Sequence, residues 1–297
     1  MILNYNFKSD EKNKELLPMN SMEFPYVCNF TNMDSLINNC IPWHWHPLIE
    51  IDYVFEGAVE LKTPDHIEYV QQGEIFFVNS GVIHTITAKD KTIVTKTYAH
   101  LFDMHFLSGI HNSLFEQKYL VPIVKSKTLD IFVIRPNNYK NIKMIEKVLE
   151  IIELNKSEDF GYEFEIRSKL CKFWCMLLTE TENLRSDNTP KNDIDIDRMK
   201  AMLQYIHEHY MEKITLDAIA SSASISNREC SRCFQRCIET SPINYLTEHR
   251  VRMATQMLLQ TQDDIVTISE NCGFSSSSYF GKVFHELMGC TPKHYRK

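Results

Sequence analysis

The chain has 297 residues, about twice the usual length of one domain, so two domains with separate cores are expected. It is 43% hydrophobic and 24% charged with no low-complexity tract, which excludes a disordered chain, and no apolar run approaches the ~20 residues of a membrane span. The net charge of −7 argues against indiscriminate nucleic-acid binding, but residues 1–190 hold 19 basic and 26 acidic side chains while residues 191–297 hold 13 of each. The acidic excess therefore sits in the N-terminal part, and Arg228 to Arg252 forms a local basic patch of five arginines against three glutamates.

Met1 to Glu15 is polar, with no apolar segment before a small-residue cleavage site, so no export signal is visible and a cytoplasmic location is expected. Nine cysteines, an odd number without a signal peptide, fit reduced thiols better than a disulfide framework. Cys230, Cys233 and Cys237 follow the i, i+3, i+7 spacing of one helix face, and core packing is expected of them.

Residues 1–24 read as a polar arm. From Pro25 the chain reads as short strands: Leu48 to Phe55 and Glu74 to Val78 are apolar and β-branched and Ile93 to Phe106 alternates loosely, punctuated by Gly57, Gly73 and Gly81. An all-β sandwich or barrel over 25–138 is the economical fold. In it, Trp43-His44-Trp45-His46 followed by Glu50 places His44, His46 and Glu50 at even positions, so one continuous strand turns all three to one face. Trp43 and Trp45 then face the opposite way and are expected in the core. Gly73 and Gly81 frame a strand and turn leading to His84.

At Asn141 the pattern changes to helix. Ile142, Ile145, Val148, Leu149 and Ile152 form one apolar stripe and Phe164 to Leu178 another, with Leu170, Trp174 and Leu177 suited to self-association, so 139–182 is expected to supply dimerisation helices. Residues 183–193 contain Pro190 and no apolar periodicity, and read as a linker.

The remaining segment, 194–297, contains an internal repeat. Leu216, Ile219 and Ile225 recur 49 residues later as Ile265, Ile268 and Phe274, and Phe234, Pro242 and Tyr245 recur 50 residues later as Phe284, Pro292 and Tyr295. Each copy reads helix, tight turn, helix. Gly273 sits where the second turn needs a permissive residue, Ser226 with Glu229 makes a capping box, and Ser241-Pro242 and Thr291-Pro292 start helices. The fold class is thus α+β multidomain: a β-barrel with flanking helices, then an all-α domain of two helix-turn-helix units joined by a long helix. That helix, Pro242 to about Gln260, is roughly 28 Å long at the usual rise. This is close to the ~34 Å of one DNA turn, so two recognition helices can enter successive major grooves of duplex DNA.

In the first recognition helix Ser226, Asn227, Arg228, Arg232, Gln235 and Arg236 are the candidate DNA contacts, since arginine pairs bidentately with guanine or grips phosphate. The second offers Ser276, Ser277, Ser278 and Lys282, better suited to backbone positioning. A lone arginine-bearing helix is more often an ordinary solvated face; duplication at one-turn spacing reverses that. Arg250 lies on the apolar stripe of the connecting helix with Ile243, Leu246, Met253 and Met257, which points to a structural role.

The stretch ISENCGFSSSSYFGKVFHELMGCTPKHYR, with Gly273, Phe274, Tyr279, Phe280, Phe284, Gly289, Pro292, Tyr295 and Arg296, resembles the signature of the AraC/XylS family of bacterial regulators. The resemblance implies two helix-turn-helix units on asymmetric sites, with the three cysteines of the first recognition helix as a departure. The first half is similar to the two cupin motifs, in which two histidines, a glutamate and a third histidine converge inside a small barrel. His44, His46, Glu50 and His84 match them, although Asn79 replaces the expected proline. Phe106 to Val124 also resembles the barrel-bearing subgroup.

The resemblance implies an effector pocket at these four residues, with sugars a common effector class, and it requires no cofactor. A divalent metal on the same four residues and a purely structural role are the alternatives. The partners expected are double-stranded DNA, a small effector such as a carbohydrate, a second copy of the chain and RNA polymerase, with no membrane. A metal-dependent cupin enzyme with an appended helical domain is the competing reading. The arm before Pro25 and the helices after Tyr139 are the expected moving parts.

Overall fold

The computed structural model describes residues 2–4, 24–185 and 193–296, which form two compact units, one up to residue 185 and one from residue 193. The expected arm at 1–24 therefore lies outside the described residues except at its ends, as does the expected linker apart from residues 183–185 and 193.

The first unit is built on two sheets. Strands β1 (Ile2–Asn4), β2 (Tyr26–Asn32), β4 (Ile49–Glu56), β7 (Ile75–Val78), β9 (Lys96–Phe102) and β10 (Ile131–Ile134) make a six-stranded sheet in the order β1-β2-β9-β4-β7-β10. Strands β3 (Cys40–His44), β5 (Ala58–Lys62), β6 (Ile67–Gln71) and β8 (His84–Ala88) make a four-stranded sheet in the order β3-β8-β5-β6. All pairings are antiparallel except that of β1 with β2.

Side chains alternate across a strand, and in the six-stranded sheet both faces are covered. On β7, Phe76 and Val78 join Val54, Val59, Leu61 and Ile86 in the barrel interior, whereas Ile75 and Phe77 join Ile49, Ile51 and Phe102 on the outer face. A strand buried on both sides reads as the unbroken apolar run IFFV.

Two helices, α3 (Tyr139–Ser157) and α4 (Tyr162–Glu180), pack on that outer face. They follow α1 (Met104–Ser108), one π-type turn (Glu116–Leu120) and α2 (Val121–Val124); a short α5 (Glu182–Arg185) comes after them. Two sequence expectations change here. Leu170, Trp174 and Leu177 are not a free stripe: they are buried in the chain's own core, Trp174 standing edge-on to Phe77 and Phe102 and donating its indole N–H to the Tyr119 carbonyl at 2.8 Å. Closing the barrel's outer face uses the apolar stripe that amphipathicity assigns to a partner. The extended segment also stops at Phe102, because the Asp103 carboxylate accepts the His105 N–H and starts α1.

The second unit consists of α6 (Asp193–His209), α7 (Leu216–Ser222), α8 (Asn227–Ile238), α9 (Pro242–Gln260), α10 (Ile265–Asn271), α11 (Ser277–Met288) and α12 (Pro292–Tyr295). The repeat is visible in the backbone. Thr215 and Asp264 cap α7 and α10; Ser226 and Ser276 cap α8 and α11; Ser224 and Gly273 both sit at positive φ in the turn, as do Glu239 and Gly289 after the recognition helices. The first turn has four residues between its helices and the second five, which accounts for the step in repeat spacing from 49 to 50.

Arg250 has the structural role expected of it. From α9 its Nε donates to the Tyr210 carbonyl at 2.7 Å and its Nη2 to the Glu212 carbonyl at 2.6 Å, while the guanidinium lies over Phe274. Gly273 lies against the same carbonyl, where a Cβ would stand 2.3 Å from the Tyr210 oxygen.

Candidate nucleic-acid interface and buried histidine cluster

On α8 the buried face holds Cys230, Cys233, Phe234, Cys237 and Ile238, so the three cysteines are core residues, without disulfides and away from solvent. Burial pushes the Cys230 thiol up to about 11, which suits packing and not metal ligation. The opposite face is exposed and carries Ser226, Asn227, Arg228, Arg232, Gln235 and Arg236. Arg228, Arg232 and Gln235 stand at i, i+4, i+7, one stripe along the helix. Arg228 and Arg232 make no ion pair among the described residues, so both guanidinium groups are available to an anion.

Arg236 differs. Its Nη2 is 2.8 Å from Asp195 of α6 and 2.9 Å from Glu229, and the hydrogen bonds to Glu229 and Asp195 raise its already high pKa further. It ties α8 to α6, and must leave both acids to grip DNA. The Ser226 and Ser276 hydroxyl oxygens accept the Glu229 and Tyr279 N–H groups as helix caps, which leaves only their O–H for a phosphate.

At α11, Ser276, Ser277, Ser278 and Lys282 are all exposed, as is His285, which occupies the place of Gln235 in the repeat. Tyr279, 48% exposed, stands on the same helix one residue after Ser278.

In the barrel, all four residues of the expected cluster come together, though not as one strand face. His44 ends β3 and lies directly opposite His84 on β8, in the four-stranded sheet; Glu50 comes from β4 in the other sheet; His46 sits in the connection between. Trp43 and Trp45 are only half buried, so they are not core aromatics.

The four are 0–6% exposed, and each offers a ligand atom within 4.8 Å of the others. Each imidazole turns Nδ1 to a backbone carbonyl: His44 to Pro42 at 2.7 Å, His46 to Leu48 at 3.1 Å, His84 to Val82 at 2.9 Å. A carbonyl only accepts, so Nδ1 of each ring carries a proton and Nε2 is the nitrogen each ring turns to the rest of the cluster.

The Glu50 carboxylate lies 3.1 Å from His46 Nε2 and 3.0 Å from His84 Nε2, and His84 Nε2 has no well-aligned hydrogen-bond partner. Burial raises the Glu50 carboxyl, but the contacts from His46 and His84 outweigh it and hold the group well below its usual range. Burial, then the neighbouring His84 and His46, push His44 well below its ordinary value. Asp52, two residues on, is pushed well up by burial and by Glu50. Three imidazole nitrogens and one carboxylate oxygen within 4.8 Å of one another are the donor set of a divalent transition metal, and the same residues suit a compact polar ligand.

Asn79, which stands where the cupin pattern has proline, has a use that proline does not offer. Its Nδ2 donates to the Ile123 carbonyl at 2.8 Å and the Leu129 carbonyl at 2.9 Å, holding the segment after α2 against the end of β7.

A barrel enclosing a polar cluster, followed by a duplicated helix-turn-helix, defines a ligand-responsive DNA-binding regulator. Comparison with known proteins agrees in both halves. Residues 35–137 match the AraC-like ligand binding domain and residues 219–297 a helix-turn-helix domain. The HTH-type transcriptional regulator YdeC of Bacillus subtilis is 30% identical over 292 residues, covering 98% of each chain. The chain belongs to the AraC family of transcription regulators.

The RCS-specific transcriptional activator RclR of Escherichia coli is 23% identical over 85% of this chain and 84% of that protein. The solved structure of ToxT from Vibrio cholerae aligns over 92% of this chain and 98% of its own with a TM-score of 0.49 at 12% identity. Family membership makes the chain a regulator and not an enzyme, so the metal-dependent enzyme reading falls. No helix of the described residues is long and apolar enough to cross a membrane.

Proposed function

We propose that this regulator acts in the cytoplasm as a homodimer on duplex DNA. Asn227, Arg228, Arg232 and Gln235 read one major groove, while Ser277, Ser278 and Lys282 grip the backbone around the next. A small polar effector of the carbohydrate class, contacting His44, His46, Glu50 and His84, controls the binding, and RNA polymerase is the partner through which promoter output changes.

The observation that carries the DNA reading is the pair of free guanidinium groups on the α8 stripe, repeated in position by Ser278 and Lys282 on α11. What supports the effector reading is the burial together of three imidazoles and a carboxylate, an arrangement that is costly inside a barrel with no ligand to meet it. A specific feature also favours a divalent transition metal there: all three Nδ1 groups are committed to carbonyls, leaving Nε2 and Glu50 to converge. Leu170, Trp174 and Leu177 are spent in the chain's own core, so the self-association we propose uses exposed apolar residues of the helical layer such as Phe160 and Phe164.

The test joins metal analysis of protein purified without chelator to fluorescence anisotropy with DNA from upstream of the protein's own gene, titrated with sugars. His46→Ala should abolish the ligand-dependent change and keep the basal DNA affinity. A response that survives in the variant, or binding with no preference among DNA sequences, overturns the proposal.

A further inference from the structure

We propose that His105, His111 and Glu116 form a second divalent-metal site, outside the barrel and independent of the His44 cluster, on the segment that joins β9 to α2. One ligand atom from each of the three lies within 4.8 Å of the others. Three features of the segment prepare them for an ion.

His105 is preset by its neighbour. The Asp103 carboxylate that caps α1 also lies 2.6 Å from His105 Nδ1, so it fixes the ring and leaves Nε2 as the outward nitrogen. A carboxylate behind a histidine orients the ring and makes it a better donor, as in many zinc sites.

Gly109, at φ 76°, then reverses the chain, bringing the His111 ring back to 6.0 Å from that of His105. No regular helix or strand pairs residues six apart in this way, so the reversal creates the juxtaposition.

Glu116 supplies the third donor, and it is the most informative. Its side chain is 3% exposed, at the start of a π-type turn, a distortion common at functional positions. Oε2 accepts the Asn112 N–H at 2.6 Å, which folds the loop around it, while Oε1 points at His111 Nδ1 at 3.4 Å. No lysine or arginine pairs with this buried carboxylate among the described residues. A buried carboxylate needs a polar or charged partner, and the side chain nearest its Oε1 is the His111 imidazole, 76% exposed to solvent.

Two nitrogens and one oxygen suit zinc-like ions and not calcium or magnesium, which take all-oxygen sets. Three protein ligands leave a coordination position for water or a ligand group. A cleft of about 280 Å³ lies beside it, lined by His105, Gly109 and Arg167 among others. Bound metal would pin the 109–116 loop to α1 and so set the wall against which α4 packs.

The probe is Zn²⁺, titrated into the metal-free full-length protein against a chromophoric chelator. Three comparisons are made: the parent with His111→Ala, the parent with Glu116→Gln, and the His46→Ala/His84→Ala variant with the same variant carrying His111→Ala. His111 is exposed and glutamine keeps the Asn112 hydrogen bond, so the first two should fold as the parent does, as circular dichroism will show.

The expected result is loss of one zinc equivalent per chain on His111→Ala or Glu116→Gln, and one remaining equivalent in the His46→Ala/His84→Ala variant that His111→Ala removes. Asp103→Asn, a positioning change, should weaken this site about 10- to 100-fold. Unchanged stoichiometry and affinity in both His111→Ala and Glu116→Gln overturns the proposal. Failure of the barrel metal reading shows separately, as equal stoichiometry in the parent and the His46→Ala/His84→Ala variant.

Discussion

The two helix-turn-helix units share a backbone and differ in what they display. Position by position the stripe of α8 against that of α11 is Arg228 to Ser278, Arg232 to Lys282, Gln235 to His285 and Arg236 to Glu286, while Phe234 and Phe284 occupy the same buried place. A few positions hold the unit: a capping side chain, a residue at positive φ, a central phenylalanine and a Ser/Thr-Pro start. The surface between them is free to diverge, which is how one scaffold yields a strong reader and a weak positioner.

The largest expected difference between the copies lies at the turn. Gly273→Ala places a methyl 2.3 Å from the Tyr210 oxygen at a positive φ, whereas the equivalent Ser224 is exposed and already has a side chain. Left-handed strain and overpacking together should cost about 2–4 kcal/mol. The three tryptophans, Trp43, Trp45 and Trp174, all lie in the first unit, so their fluorescence reports that unit alone. Urea unfolding of Gly273→Ala should lower the midpoint by far-ultraviolet circular dichroism and leave the tryptophan transition in place.

What the sequence makes legible follows the same division. Duplication gave two readings of each position in the helix-turn-helix, so its caps, its turn glycine and the ends of α9 were legible. The helix α6 precedes the first matched pair of the repeat, Leu216 and Ile265, so sequence matching does not reach it or the Asp195 carboxylate that occupies Arg236 from 41 residues away. In the barrel the four cluster residues were recognisable by type and spacing, but the strand-parity argument for them fails, since His44 and Glu50 belong to different sheets. The stripe of Leu170, Trp174 and Leu177 announced burial and not the surface that buries it. The His105 group has a spacing of six and five, which matches no local ligand template until Gly109 turns the chain.

Acid should weaken both units. His100 in the barrel is pushed down to about 3 by burial, and His249 on α9 well below its usual value by burial and then His207. Each folded-state pKa lies below the unfolded one near 6.5, so the unfolded chain binds the extra proton as pH falls. The stabilisation is complete above about 6.5 and lost toward the folded pKa, at about 1.4 kcal/mol per pH unit for each fully buried histidine. Both midpoints should fall between pH 7 and 5; His249→Gln should flatten the second unit's dependence alone. A pH-independent circular-dichroism midpoint refutes the claim.

Next in size is the contrast in DNA binding. Arg232→Ala on a selected site should cost about 1–3 kcal/mol and relax preference for one base. Lys282→Ala, the same position in the other copy, should weaken binding evenly across sequences and reduce the salt slope by about 1. Equal loss of selectivity in both variants would show that the two units read bases alike.

The smallest effect is the most direct test of the shared scaffold. Ser224 holds φ 56° where its counterpart is Gly273, and Glu239 holds φ 55° where its counterpart is Gly289. A residue with a Cβ pays roughly 1–2 kcal/mol in the left-handed region, and glycine returns about 0.5–1 of this through the freedom it loses on folding. Ser224→Gly should therefore stabilise the second unit by about 0.5 kcal/mol, with Glu239→Gly adding a similar backbone gain, since the two sites lie at opposite ends of α8. The sign matters more than the size. Both substitutions copy the second unit's solution into the first, so a gain in the circular-dichroism midpoint means that the two copies keep the same turn in solution. A loss means that the first unit draws on its Ser224 or Glu239 side chain in a way the second does not.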